Sequence, residues 1–76
     1  MKITLDTSSN AGYIYLTDEI KPGEVDNTEM VTSDINLDYN KKGEIIGIEI
    51  LNAKDFFKTI KFVDITEGKN KEITIM

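Results

Sequence analysis

The chain contains no histidine, no cysteine, no tryptophan and no arginine. Without histidine there is no side chain whose ordinary pKa suits general-base work at neutral pH, and without cysteine there is no thiolate nucleophile. The same two absences remove disulfides and metal sites built on imidazole or thiolate. Without arginine there is no bidentate guanidinium fork for phosphate, carboxylate or guanine. Long apolar runs are missing too, so no segment is a candidate membrane span. A single proline, Pro22, and five scattered glycines leave no Gly-rich phosphate cradle feeding a helix.

What is present is a 76-residue chain with net charge -5, 39% hydrophobic and 30% charged residues. That balance is globular, and the length suits one domain spanning 1–76. A domain this small draws only about 3–5 kcal/mol of net stability from one core. With no disulfide and no thiolate or imidazole metal site to add to it, what remains is tight β packing, or burial against a second copy or a partner. The segment Met-Lys-Ile-Thr-Leu-Asp meets an acid at Asp6 before any long apolar stretch, unlike a secretory signal, and a cytoplasmic location is expected.

Charge is unevenly distributed. Residues 1–38 hold eight acids against Lys2 and Lys21, whereas residues 39–76 hold six acids against seven lysines. An acidic half of this kind either steers a basic partner or keeps a small domain in solution. It argues against nucleic acid as a partner, because the phosphate backbone is repelled by it.

Hydrophobic alternation identifies most elements. Lys2–Asp6 alternates with period two, a cluster of turn formers follows at Thr7-Ser8-Ser9-Asn10, and Ala11–Leu16 is rich in aromatic and β-branched residues. These predict an antiparallel hairpin. Thr17–Asn27, with Pro22-Gly23 at its centre, predicts a surface loop. Glu29–Tyr39 alternates without interruption and predicts one long strand, with Val31, Ser33, Ile35, Leu37 and Tyr39 on one face. Asn40-Lys41-Lys42-Gly43 predicts the turn into a strand over Glu44–Leu51. Ile46, Ile48 and Ile50 share its apolar face, while Gly47 leaves space for a neighbouring ring or backbone.

Asn52 is suited to cap a short helix with Asp55 in its first turn, and Phe56, Ile60 and Val63 have helical spacing. A strand over 62–66, a turn at 67–70 and a strand over 71–76 with Ile73 and Ile75 inward complete the expectation. The fold class expected is α+β: a small antiparallel β-sheet of two hairpins, one short helix and a C-terminal strand or hairpin.

Candidate chemistry is sparse. Asp34 and Asp38 share a strand face but are separated by roughly 13 Å of extended chain, too far for a hydrolytic carboxylate pair. Asp34-x-Asn36-x-Asp38 begins like a calcium loop, yet Tyr39 and Ile45 stand where such a loop needs glycine and glutamate. Ser8, Ser9 and Ser33 have no lysine at a telling spacing. No catalytic residue, no metal ligand set and no cofactor is therefore expected. Tyr13 and Tyr15 share a face opposite Ile14 and Leu16, so both sides of that strand are partly apolar. Such a second face either meets another chain or carries rings over the core rim with their hydroxyls in water. Glu49, one polar residue within an apolar run, is either a site or half of a cross-strand ion pair with a lysine. Tyr13, Tyr15 and Glu49 are the candidate interaction residues.

Two stretches carry a resemblance. Ala11-x-Tyr13-Ile14-x-Leu16, together with Asp38-x-x-x-x-Gly43-x-Ile45-Ile46-Gly47-Ile48-Glu49-Ile50-Leu51-x-Ala53, resembles the family called domain of unknown function 2283. The resemblance covers residues 2–58 and leaves 62–76 as a C-terminal extension. It implies a compact antiparallel sheet with a helix after the last strand, and no activity, cofactor or catalytic residue. It also implies an antitoxin-like role against a basic protein as a reasonable expectation. The function expected is thus non-enzymatic protein association, as a homo-oligomer or with a basic partner. The alternative is a small-molecule or divalent-metal-binding domain using Asp34, Asp38 and Glu49.

Overall fold

A computed structural model describes residues 1–58 and 60–66, and the strand backbone at 71–74. The first hairpin pairs β1 (Lys2–Asp6) with β2 (Ala11–Tyr15), Ile3 opposite Ile14. Its turn is organised by Asp6, whose carboxylate accepts hydrogen bonds from the Ser8 hydroxyl and from the Ser8 and Ser9 amides. These bonds favour the charged carboxylate and hold its pKa below the ordinary value. Asn10 closes the turn in the left-handed region, φ 56°, a conformation asparagine tolerates.

β3 (Asn27–Met30), β4 (Ile35–Tyr39) and β5 (Ile45–Leu51) form an antiparallel meander. The single strand expected over Glu29–Tyr39 is therefore two strands of a hairpin. Thr32 breaks it: its hydroxyl accepts from the amides of Asp34 and Ile35, and the Val31 amide turns back to the Ile35 carbonyl. Alternation in the sequence survives this turn and hides it, because a turn at Thr32-Ser33-Asp34 uses small polar residues that also suit a strand's wet face. At the other end of β4, Asn40 accepts from the amides of Lys42 and Glu44, and Gly43 takes φ 79°. This is the turn predicted from Asn40-Lys41-Lys42-Gly43.

Pairing of β2 with β5 joins the two halves, giving one five-stranded sheet in the order β1-β2-β5-β4-β3. The element α1 (Ala53–Phe56) is a single turn of helix. Asn52 does not cap it. That residue lies in the left-handed region at φ 54°, and its side-chain amide donates to Asp34 instead. The orphan amides at the start of α1 are met by Asn10, whose carbonyl accepts from Ala53 and whose side-chain oxygen accepts from Lys54. The helical face expected from Phe56, Ile60 and Val63 is also not formed. Phe56 is exposed, and Val63 lies in β6 (Lys61–Asp64). Phe57 is the ring that seats α1: it covers Gly12, where a Cβ would come within 2.5 Å of it.

β6 pairs with β7 (Lys71–Thr74) as a separate two-stranded ribbon, Phe62 opposite Ile73. The turn expected at 67–70 lies outside the described residues, as do the side chains of 71–76 and hence the inward placement of Ile73 and Ile75. The architecture is the expected α+β class. No helix among the described residues is long and apolar enough to cross a membrane.

Candidate functional site

Cross-strand register divides the five-stranded sheet into two unlike faces. One carries Ile3, Leu5, Ile14, Ile35, Leu37, Ile46, Ile48 and Ile50. The other is polar and aromatic, and it gathers all three candidate residues. Along one of its rows, Thr4, Tyr13, Glu49, Asn36 and Met30 are successive partners. Along the next, Lys2, Tyr15, Gly47, Asp38 and Thr28 are partners in the same way.

Gly47 is what lets the two rows interlock. The Tyr13 side chain leans across it, so that a Cβ there would lie 2.0 Å from the phenolic oxygen. The hydroxyl reaches past the glycine and donates to Asp38 Oδ2 at 2.5 Å. Asp38 Oδ1 accepts from the Thr28 hydroxyl at 2.6 Å, so both carboxylate oxygens are engaged. The space anticipated at Gly47 for a neighbouring ring is thus filled by Tyr13.

Among the described residues, Glu49 has no lysine partner for the ion pair that its position suggested. Its Oε1 accepts from the Asn36 side-chain amide at 2.8 Å. Nor is the Tyr13 hydroxyl left to water, as a ring at the core rim would have it. Tyr15 packs against Tyr13 with ring centroids 4.7 Å apart and planes tilted by 57°. The Lys2 ammonium sits 4.2 Å from the Tyr15 ring centroid, a cation–π contact. Asp34 stands apart from this group, held by the Asn52 amide at the end of β5. Among the described residues, no three acids come together in a way that would hold a metal ion.

Sequence reasoning placed Tyr13 and Tyr15 on one face but missed the tie of Tyr13 to Asp38. Alternation puts Asn36 and Asp38 on a polar face, and a glycine opposite a tyrosine is a usable signal. The register that sets Gly47 between Tyr15 and Asp38 is absent from any local pattern.

Burial pushes the Tyr13 phenol well above its ordinary pKa, and the hydrogen bond to the Asp38 carboxylate adds to the rise. Tyr39 is raised as well, because its hydroxyl donates to Glu29. A raised phenol pKa means that the folded state keeps its proton where the unfolded chain loses it. The stability contributed by Tyr13 is therefore complete below about pH 10 and is lost as pH rises through the folded-state value. Urea midpoints should fall above about pH 10, and Tyr13→Phe should flatten that fall. Phenolate absorbance should show Tyr13 ionising well above the ordinary range of a phenol. A Tyr13→Phe profile parallel to the wild type would refute this account.

No curated protein and no solved structure matches the chain. The family model described as Protein of unknown function (DUF2283) matches residues 2–54, which run from the start of β1 into α1 and include the whole five-stranded sheet. The chain belongs to this family of proteins of unknown function.

Proposed function

We propose that the protein is a non-enzymatic association module whose Tyr13–Tyr15 face docks lysine side chains of a basic protein partner. The observation that carries this reading is the Lys2 ammonium seated on the Tyr15 ring, beside a tyrosine tied to Asp38 and opposite Glu49. The face thus already receives an ammonium from its own chain. At its strand positions Asp6, Asp38 and Glu49 stand against Lys2 alone, within a chain of net charge -5. Electrostatic attraction of that kind speeds encounter and selects basic partners, and it weakens with salt. An inhibitor of a basic protein, antitoxin-like in action, is the biological role that fits. Association without catalysis also agrees with the lack of any histidine or cysteine.

The carboxylate alternative, a metal or small-molecule site, uses Asp38 and Glu49 of this face together with Asp34, which stands apart from them. It has less support, because the Asp38 oxygens and Glu49 Oε1 already accept hydrogen bonds from neighbouring side chains.

Titration calorimetry with an oligolysine peptide at rising salt tests the proposal. Binding should weaken with salt. Tyr15→Leu should weaken it about two- to fivefold, the range of an exposed cation–π contact. Glu49→Gln should weaken it more than Asp18→Asn, which makes the same change in net charge on the exposed loop after β2. Equal effects of those two variants would mean that only overall charge is read, and the face would lose its role.

A further inference from the structure

The opposite face of the sheet has a different character. Row by row it presents Ile3, Ile14, Ile48 and Leu37, then Leu5, Gly12, Ile50 and Ile35. Leu16, whose amide bonds to the Ile46 carbonyl, extends it beyond β2. α1 and Phe57 pack on the Gly12 end of this face. Ile46 and Ile50 are the only large side chains of the sheet that are buried, the other large apolar residues at its strand positions are half-buried, and Leu16 is 40% exposed.

The surface area gives the same message. The chain exposes 5746 Å². A folded monomer of 8.6 kDa is expected to expose about 4,700 Å², so roughly 1,000 Å² is in excess. The exposed Phe62 and Val63 of β6 contribute to that excess, and so do Leu16 and the half-buried residues of the apolar face. A standard interface removes about 800 Å² from each partner.

Charge selects the occupant. Glu29, on the edge strand β3, is the one charged residue at a strand position of this face, and its carboxylate accepts a hydrogen bond from Tyr39. A basic protein would find almost nothing here to recognise. Two copies of net charge -5 repel one another everywhere except where acids are absent, and this is that place.

We propose that the Ile/Leu face is a self-association surface, on which two copies pack sheet against sheet about a twofold axis. Sheets packed in this way lie about 10 Å apart with interdigitated side chains. The proposal stands independently of lysine docking, since the two use opposite faces. Together they make the dimer bivalent, with a Tyr13–Tyr15 face on each outer side.

Light scattering on the full chain, at the highest soluble concentration, tests it. The expected mass is twice 8.6 kDa. Leu16→Lys and Ile3→Lys should return it to 8.6 kDa, whereas Tyr15→Lys on the other face and Met30→Lys on the β3 edge should leave the dimer intact. Circular dichroism checks that each variant folds. For the wild type, isotope-filtered nuclear Overhauser spectra of mixed labelled and unlabelled chains should show contacts between the methyls of Ile3, Ile14, Leu16 and Ile48. A wild-type monomer would overturn the proposal and leave this face to the chain's own residues. So would a dimer lost in Met30→Lys but kept in Leu16→Lys, which would move the contact to the sheet edge.

Discussion

Ile50→Ala should leave the domain largely unfolded at room temperature. Ile50 is 7% exposed, at the middle of the sheet, with Gly12 as its partner on one side and Ile35 on the other. Truncating a buried isoleucine costs about 2–5 kcal/mol, from lost transfer free energy and the cavity left behind. The whole domain has only about 3–5 kcal/mol to lose. Ile46, at 4% exposure, should behave in the same way. Met30→Ala is the contrast: at 75% exposure on the edge strand it should change stability by no more than about 0.5 kcal/mol. Urea unfolding followed by circular dichroism separates these outcomes. A loss below about 1 kcal/mol at Ile50 would mean that the sheet does not rest on this pair of isoleucines. If the apolar faces pair between chains, the midpoints should also rise with protein concentration.

Gly47→Ala should destabilise by about 1–3 kcal/mol, through the loss of a hydrogen bond to a charged group and of ring packing. The added Cβ would lie 2.0 Å from the Tyr13 hydroxyl oxygen and 2.5 Å from the ring carbon that bears it. The ring must swing away, and Asp38 then loses the donor on its Oδ2. The sign of the effect depends on Tyr13, which makes a double-mutant cycle decisive. In a Tyr13→Ala background the three atoms nearest to a Cβ at residue 47 are removed. There Gly47→Ala should be neutral or stabilising by about 0.4–1 kcal/mol, since alanine restricts the unfolded chain more than glycine does. Gly47 shows no positive φ, so backbone strain plays no part. An equally harmful Gly47→Ala in both backgrounds would show that the glycine serves something other than the tyrosine.

Both predictions depend on contacts between residues far apart in sequence, and this marks where the sequence stops being legible. The features it shows are local. Absent residue types exclude whole chemistries whatever the fold. Alternation over Lys2–Asp6, Ala11–Leu16 and Glu44–Leu51 marks strands, because side chains on extended backbone point to opposite faces in turn. At the two turns Asp6 and Asn40 act through their own side chains on amides two to four residues away, so their chemistry is written beside the turn they make.

Local reading failed where two local solutions compete. Val31–Asp34 suits a strand as well as a turn, and Thr32 chose the turn by bonding the amides of Asp34 and Ile35. Asn52 is a good cap by composition, but docking of α1 on the first hairpin brought Asn10 to its exposed amides and turned Asn52 toward Asp34. The candidate site divides along the same line. That Tyr13 and Tyr15 share a face is a property of one strand. That Tyr13 crosses Gly47 to reach Asp38 and that Glu49 finds Asn36 follow from the pairing of β2 with β5 and β5 with β4, while Lys2 is laid on Tyr15 by the pairing of β1 with β2. Composition and period two, then, determined by themselves the class of the fold, the strand faces and the chemistry this protein lacks. The register between distant strands was decided only by tertiary structure, because a shift of one residue in either pairing would put each of these side chains opposite a different neighbour while leaving every local pattern unchanged.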